Sequence, residues 1–356
     1  MKNKILITGG AGFIGSNYVE LIIENAEDQI YVLDNLTYAG SLKNLKTVSY
    51  LPNYNFIKGD ICDEALINSL FKEYQFNKVV HFAAESHVDN SITRPGAFIQ
   101  TNIVGTFNLL HSAYRLWMND PNQLKEEYKD ARFLHVSTDE VYGESSFEKN
   151  EANTESTSLL EPTNPYSATK AAAEMLVMAY GRSYDLPYII TRGNNVYGPH
   201  QYPEKAIPKF ILLTRNSQKI PIHGDGLATR SYMHVRDAAS AFDIILHKGI
   251  VRGVYNIGAR EERTVLSVAH DIGNALGKDT TDLVLHVQDR KFNDRRYFID
   301  CSKLLALGWT EQISWKEGLK ETINWYSCND QNSGYWGNLS GALIAHPTGG
   351  KPSLAE

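Results

Sequence analysis

Lys4-Ile5-Leu6-Ile7-Thr8-Gly9-Gly10-Ala11-Gly12-Phe13-Ile14-Gly15 is the stretch that decides the fold. A short apolar run predicts a strand over Lys4–Thr8, and the residues from Gly15 to Asn25 have helical spacing. Glycines between the two let the backbone turn tightly and approach a pyrophosphate, while the helix N-terminus offers N–H groups to negative charge. A glycine-rich turn alone is a weak signal, but a second element stands in place. Asp34 ends the next apolar run, Ile30–Asp34, about 20 residues on, where a carboxylate accepts hydrogen bonds from an adenosine ribose and repels a 2'-phosphate. The pair predicts NAD rather than NADP.

Outward from this turn the pattern repeats. Apolar runs at Tyr54–Lys58, Lys78–Phe82, Phe133–Ser137 and Tyr188–Arg192 alternate with helical spacing over Ala65–Tyr74, Gly96–Trp117 and Tyr166–Tyr184. Alternating strands and helices predict an α/β fold, a Rossmann-type doubly wound parallel sheet, with ligands beyond the carboxyl ends of its strands. After Asn195 prolines and glycines break the rhythm, and shorter helices are expected over Val235–Leu246, Val265–Leu276 and Trp315–Tyr326. The expected division is a cofactor domain over residues 1–195, with 232–258 returning to it, a smaller mixed α/β substrate lobe over 196–345 and a flexible tail over 346–356. The polar stretch Trp117–Asp130 reads as a surface insertion.

Composition excludes several classes. The chain has 356 residues, 42% hydrophobic and 21% charged, with a net charge of -6. That is globular composition with no electrostatic reason to bind nucleic acid or an acidic membrane. Its 3 cysteines form no C-x-x-C pair, and its 11 histidines show no H-E-x-x-H. Neither a disulfide framework nor a metal site is expected. No signal-like segment and no membrane-length apolar run occurs, so a cytoplasmic, soluble protein is the expectation.

Chemistry-bearing residues cluster after the later strands. Asp60 ends the third, where it meets an adenine edge, and Ala83 and Ala84 follow the fourth, where small side chains admit a cofactor. His81, within the fourth strand, reads as a core histidine; His87, just after it, falls near a substrate. Tyr166 and Lys170 are four residues apart and share a helix face. A neighbouring ammonium favours the phenolate, which makes the tyrosine a base near neutral pH. Asp139 and Glu140 stand side by side after the fifth strand, where burial keeps one of them protonated, an acid beside a base. Read alone, that pair is as well a solvated acidic turn.

The glycine motif joined to Tyr-x-x-x-Lys resembles the extended short-chain dehydrogenase/reductase superfamily. Val136-Ser137-Thr138-Asp139-Glu140-Val141-Tyr142-Gly143 narrows the likeness to the nucleotide-sugar 4,6-dehydratases. Asn194-Asn195-Val196-Tyr197-Gly198-Pro199, Pro203-Glu204-Lys205, Ile222-His223-Gly224-Asp225-Gly226, Tyr255-Asn256-Ile257-Gly258 and Asn293-Asp294-Arg295-Arg296-Tyr297 extend it over most of the chain. Ala172–Tyr180 and Trp336–Leu343 are most similar to the UDP-glucose 4,6-dehydratase part of plant rhamnose synthases. The dTDP-glucose enzymes share the core motifs, and the Trp117–Asp130 stretch is more like the bacterial ones.

The resemblance implies a lyase in which Tyr166 takes the proton of the sugar 4-hydroxyl as hydride goes to NAD. Glu140 removes the carbon-5 proton, Asp139 donates to the departing 6-hydroxyl, Thr138 hydrogen-bonds the 4-oxygen, and Lys170 also holds the nicotinamide ribose. It implies a cofactor site of Gly9, Gly12, Phe13, Ile14, Gly15, Asp34, Asn35, Asp60, Ile61, Phe82, Ala83, Ala84, Glu85, Thr101 and Ser137 with Tyr166 and Lys170. It implies a substrate site of Ser86, His87, Thr138, Asn195, Glu204, Lys205, Lys219, Pro221, Ile222, His223, Arg230, Asn256, Arg290 and Tyr297, the two arginines on the diphosphate. It also implies a homodimer through the helices at Gly96–Trp117 and Tyr166–Tyr184. A UDP-sugar 4-epimerase, a non-catalytic NAD-binding regulator and an interaction scaffold are the competing readings. Retention of Tyr166, Lys170, Asp139 and Glu140 together disfavours the last two.

Overall fold

The computed structural model describes residues 2–24, 27–120, 123–148, 151–156, 159–289, 294–329, 334–336 and 339–343. Its centre is a parallel seven-stranded sheet: β1 (Lys4–Thr8), β2 (Gln29–Asp34), β3 (Tyr54–Lys58), β4 (Lys78–His81), β5 (Arg132–Thr138), β6 (Tyr188–Gly193) and β7 (Val254–Ile257). The spatial order is β7-β6-β5-β4-β1-β2-β3, so the winding reverses between β1 and β4. At such a reversal the loops above the strands part and leave a crevice. The doubly wound α/β expectation holds.

Both faces of the sheet are covered, which is why its strands are near-continuous apolar runs rather than alternating ones. On one face α1 (Phe13–Ile22) packs beside α6 (Val235–Lys248) over Ile5, Ile7, Ile30, Val32, Val80 and Ile189. On the other, α2 (Glu64–Tyr74), α3 (Thr106–Trp117) and α4 (Pro165–Tyr184) cover Leu6, Leu33, Val79, Phe133 and Ile190. A third cluster lies beyond β6, around α5 (Ala206–Arg215), α7 (Val265–Ala275) and α8 (Trp315–Cys328), with Ile220 and Ile222 at its centre.

Three local differences from the sequence reading have physical causes. The seventh strand, β7, is only four residues long, too short for its alternation to stand out, and pairing with β6 creates it. The helix expected over Gly96–Trp117 is interrupted: wider, π-type turns occupy Ile99–Gly105 before α3 begins. There Asn102 is buried and bonds both backbone groups of Glu85, at 2.9 and 3.0 Å. The Trp117–Asp130 stretch is pinned at its ends, because Trp117, Met118 and Tyr128 are buried and the Trp117 indole N–H donates to the Phe76 carbonyl at 2.8 Å.

Candidate active site

The crevice between β1 and β4 widens into one cleft of about 350 Å³. At one end the glycine turn follows β1. Gly9 has φ of +70°, and a Cβ on it would lie 2.6 Å from the Ala83 backbone nitrogen. A Cβ on Gly15 would lie 2.3 Å from the Gly9 carbonyl oxygen. Both positions therefore demand glycine, the first for its left-handed conformation and the second for close packing. Gly12 stands just ahead of α1, whose first N–H groups have no partner within the helix and open on the cleft.

Asp34 is presented by its own backbone partners: its carboxylate accepts from Ala11 N at 2.9 Å and Leu36 N at 2.8 Å. Burial raises its pKa, and the two N–H groups oppose that rise. Asp60 is held similarly, by the Asn35 side chain and Cys62 N, each at 2.8 Å. The shape, the unpartnered helix end and the two oriented carboxylates fit a dinucleotide. All the residues expected at the cofactor line this one cleft: Gly9, Gly12, Phe13, Ile14, Gly15, Asp34, Asn35, Asp60, Ile61, Phe82, Ala83, Ala84, Glu85, Thr101, Ser137, Tyr166 and Lys170.

At the other end a single helical turn, Asp139–Tyr142, follows β5. Thr138 starts it by accepting from Glu140 N at 3.3 Å, and Gly143, at φ +76°, stops it. The Thr138 hydroxyl donates to Asp139 at 3.2 Å, and the Asn194 amide donates to the same carboxylate. Asp139 is only 3% exposed. Burial, then the neighbouring Glu140, push it up to about 7. Burial also raises Glu140, against the opposing pull of its Asn164 hydrogen bond at 3.2 Å and of Lys205 and Arg230. The turn thus holds one carboxyl poised to donate beside one poised to accept.

Asn164 also caps α4, accepting from Ser167 N at 2.9 Å in a reciprocal capping box. That cap sets the helix whose first turns carry Tyr166 and Lys170 into the cleft. The expected electrostatics of this pair need correction. Lys170 donates to the Val136 carbonyl at 2.6 Å. Burial raises the Tyr166 pKa, Glu140 raises it further, and only the Thr138 hydrogen bond works the other way. Burial lowers Lys170 to about 8, with Glu174 opposing. Burial and the Glu140 charge therefore favour the protonated phenol over the phenolate.

Of the expected substrate residues, Ser86, Thr138, Asn195, Glu204 and Lys205 line the cleft. Lys205 donates to the Ser86 carbonyl at 3.1 Å, and the Tyr38 hydroxyl donates to Glu204 at 2.9 Å across the opening. His87 caps the short helix Val88–Thr93 and lies 3.9 Å from Glu204. Arg230 is outside the lining, packed over the Tyr297 ring at 4.4 Å, and Tyr297 donates to Asp294 at 2.6 Å. Lys219, Pro221, Ile222 and His223 lie on or beside the strand Ile220–His223, outside the cleft lining; Ile222 is fully buried. Asn256 is fully buried too, and its side chain is spent on Tyr142, Asn153 and Asp300, so it supports the site from behind. Arg290 lies outside the described residues. Residues the reading passed over include Asn194, Asn164 and Tyr38. The doubled asparagine after β6 was the only signal for the first, and none marked the tyrosine. His81, as expected, is a buried core residue between Thr8 and Thr106, pushed down to about 3 by burial and then by Lys170.

A parallel sheet wound 3-2-1-4, with a glycine turn after β1 and a Tyr/Lys pair one helical turn apart at the same cleft, defines a Rossmann-type protein of the short-chain dehydrogenase/reductase kind. The family model described as GDP-mannose 4,6 dehydratase matches residues 6–322, and the chain belongs to that family. An Arabidopsis thaliana trifunctional UDP-glucose 4,6-dehydratase/UDP-4-keto-6-deoxy-D-glucose 3,5-epimerase/UDP-4-keto-L-rhamnose-reductase is 51% identical over 345 residues, covering 97% of this chain and 50% of that one. The chain thus spans about half the length of the plant enzymes it matches. The Homo sapiens dTDP-D-glucose 4,6-dehydratase is 41% identical over 350 residues, covering 97% of this chain and 95% of its own. Among solved structures, the Streptomyces venezuelae dTDP-glucose 4,6-dehydratase with NAD bound superposes with a TM-score of 0.85 at 38% identity, covering 94% of this chain and 99% of that one.

Proposed function

We propose that this protein is an NAD-dependent nucleotide-sugar 4,6-dehydratase that converts UDP-glucose to UDP-4-keto-6-deoxyglucose, a step toward rhamnose or another deoxysugar. The observation that carries the reading is Asp139 and Glu140, an acid and a base on one turn, in the same cleft as Tyr166 and Lys170. Elimination of water needs both, whereas epimerisation at carbon 4 needs only the tyrosine and the cofactor. UDP-glucose is favoured over dTDP-glucose because the plant enzymes named for it are 50–51% identical, against 41–43% for the dTDP-glucose dehydratases.

NAD, when bound, supplies the hydride acceptor and returns the hydride. The chain holds it with the glycine turn, the α1 N-terminus, Asp34 and Lys170. Tyr166, once ionised beside Lys170, takes the proton from the sugar 4-hydroxyl, and Thr138 keeps that oxygen in place. The ketone at carbon 4 acidifies carbon 5, from which Glu140 removes the proton. Asp139 gives its proton to the departing 6-hydroxyl, and water leaves. A proton returns to carbon 5, so the sugar loses one water with no net oxidation. Arg230, whose charge acts on Glu140 from outside the lining, and Arg290 are proposed for the diphosphate.

The helices α3 and α4 are proposed to pair with a second copy. Leu109 and Leu110 are spent in the core, but Phe107 and Met175 are 38% and 52% exposed. A monomer in light scattering contradicts this. No described helix is long and apolar enough to cross a membrane.

The test offers UDP-glucose and dTDP-glucose separately, without reductant, and follows mass. Loss of one water, faster from UDP-glucose, is expected. Faster loss from dTDP-glucose selects the second reading, and an unchanged mass with both overturns the dehydratase.

A further inference from the structure

Four buried residues that do not line the cleft close on one another. Glu174 lies one turn beyond Lys170 on α4, Arg192 lies two residues before Asn194 on β6, Tyr142 ends the turn that carries Asp139 and Glu140, and Asn256 is on β7. Arg192 donates to Glu174 at 2.7 Å through Nη2 and at 3.0 Å through Nε. Its Nη1 donates to the Tyr142 hydroxyl at 2.7 Å, and that hydroxyl donates to Asn256 at 2.9 Å. The guanidinium also stacks 4.7 Å from the Tyr142 ring centre. Glu174 and Asn256 are 0% exposed, Arg192 3% and Tyr142 4%.

A buried ion pair is a poor source of stability, since desolvation offsets its attraction, so its presence asks for another explanation. Placement supplies one. Glu174, Tyr142 and Arg192 each sit a few residues from a cleft residue on the same segment, so the network ties together the helix bearing Lys170, the turn bearing Asp139 and the strand end bearing Asn194. Resting on the dehydratase reading, we propose that Glu174, Arg192 and Tyr142 are positioning residues: Glu174 is the counter-charge that keeps Lys170 cationic for the cofactor, and the Arg192–Tyr142 arm holds the acid turn against it.

The titratable groups around Lys170 are Tyr166 and Glu174 on its own helix, His81 on β4, His135 on β5, Asp139 and Glu140 on the turn and Arg192 on β6. Burial, with Lys170 adding to it, keeps both histidines neutral, and Glu174 is the group that opposes the loss of the Lys170 proton. Without the Glu174 charge the lysine becomes neutral at lower pH.

The test measures NAD affinity against pH by equilibrium dialysis, with melting temperature alongside, in the full chain. Wild type is expected to lose affinity as pH rises through about 8. Glu174→Gln is expected to lose affinity about one pH unit lower, roughly a tenfold difference in the Lys170 equilibrium. The double variant Glu174→Gln/Arg192→Met, which leaves no unpaired ion, is expected to fold and to shift in the same direction by less, because the Arg192 charge goes too. Glu174→Asp, which keeps the charge, is expected to stay near wild type. Tyr142→Phe is expected to leave the NAD profile in place and to slow water loss more than the first oxidation. Should the double variant not fold, Glu174→Gln alone is read the same way. A folded variant lacking the Glu174 charge but with the wild-type NAD profile overturns the inference while the dehydratase reading stands. A wild-type chain that binds no NAD overturns both.

Discussion

The Asn194 side-chain amide donates to the Asp139 carboxylate inside the protein, with the Thr138 hydroxyl on the other oxygen. These contacts hold a buried acid whose titration is moved to about 7 by desolvation and Glu140, into the range where it serves as a proton donor.

Asp139→Asn tests that acid through stability. The folded-state pKa lies above the unfolded value, so the carboxyl costs nothing below about pH 4, and its cost grows as pH rises and is complete above about 7. The variant is expected to match wild type near pH 4 and to be more stable by about 4 kcal/mol at pH 8. Thermal melts across pH check it; a difference independent of pH contradicts the assignment. The same variant should slow water loss more than the first oxidation, seen as transient NADH absorbance.

Glu140→Gln keeps the volume and an acceptor for Asn164 but removes the base. With substrate in heavy water, wild type is expected to place deuterium at carbon 5. The variant is expected to lose that label and the water elimination while still forming NADH transiently. Label at the wild-type rate assigns the proton to another group.

Asn164→Ala removes the α4 cap and the Glu140 partner together. Loss of the cap is expected to cost about 1 kcal/mol, read by denaturant unfolding. Because that cap orients the helix carrying Tyr166, the rate of the first oxidation should fall as well. Unchanged stability and rate would show that the cap is dispensable.

Gly15→Ala places a methyl 2.3 Å from the Gly9 carbonyl, whereas Gly96 has no atom within 4 Å of an added Cβ. The first substitution is expected to weaken NAD binding by about tenfold or more, because α1 must shift away from the phosphates, and the second to leave it unchanged. Dialysis against NAD separates them. Equal affinities would place the dinucleotide elsewhere.

The sequence carried the parts that depend on local physics. The glycine turn, Asp34 at the end of β2, the strand-helix rhythm and the one-turn spacing of Tyr166 and Lys170 follow from backbone geometry and side-chain periodicity, which neighbouring residues settle among themselves. So the parallel sheet and the glycine turn at its crevice were legible from local pattern, while the fuller set of cleft residues came from the family resemblance. β7 was not, because four residues become a strand only by pairing with β6, and the wide turns at Ile99–Gly105 surround a side chain bonded to Glu85 from another segment.

Charge state was decided by tertiary structure alone. Spacing suggested that Lys170 lowers Tyr166, but burial and Glu140 raise the phenol. Spacing also could not choose between Asp139 and Glu140; Asn194 and Thr138 gather on the first, Asn164 on the second. Asn256, expected at the nucleotide, spends its side chain under the acid turn. Desolvation and long-range hydrogen bonds depend on what the folded chain brings from far along the sequence, so residue type and spacing name the groups of this site, and only packing sets which of them hold protons.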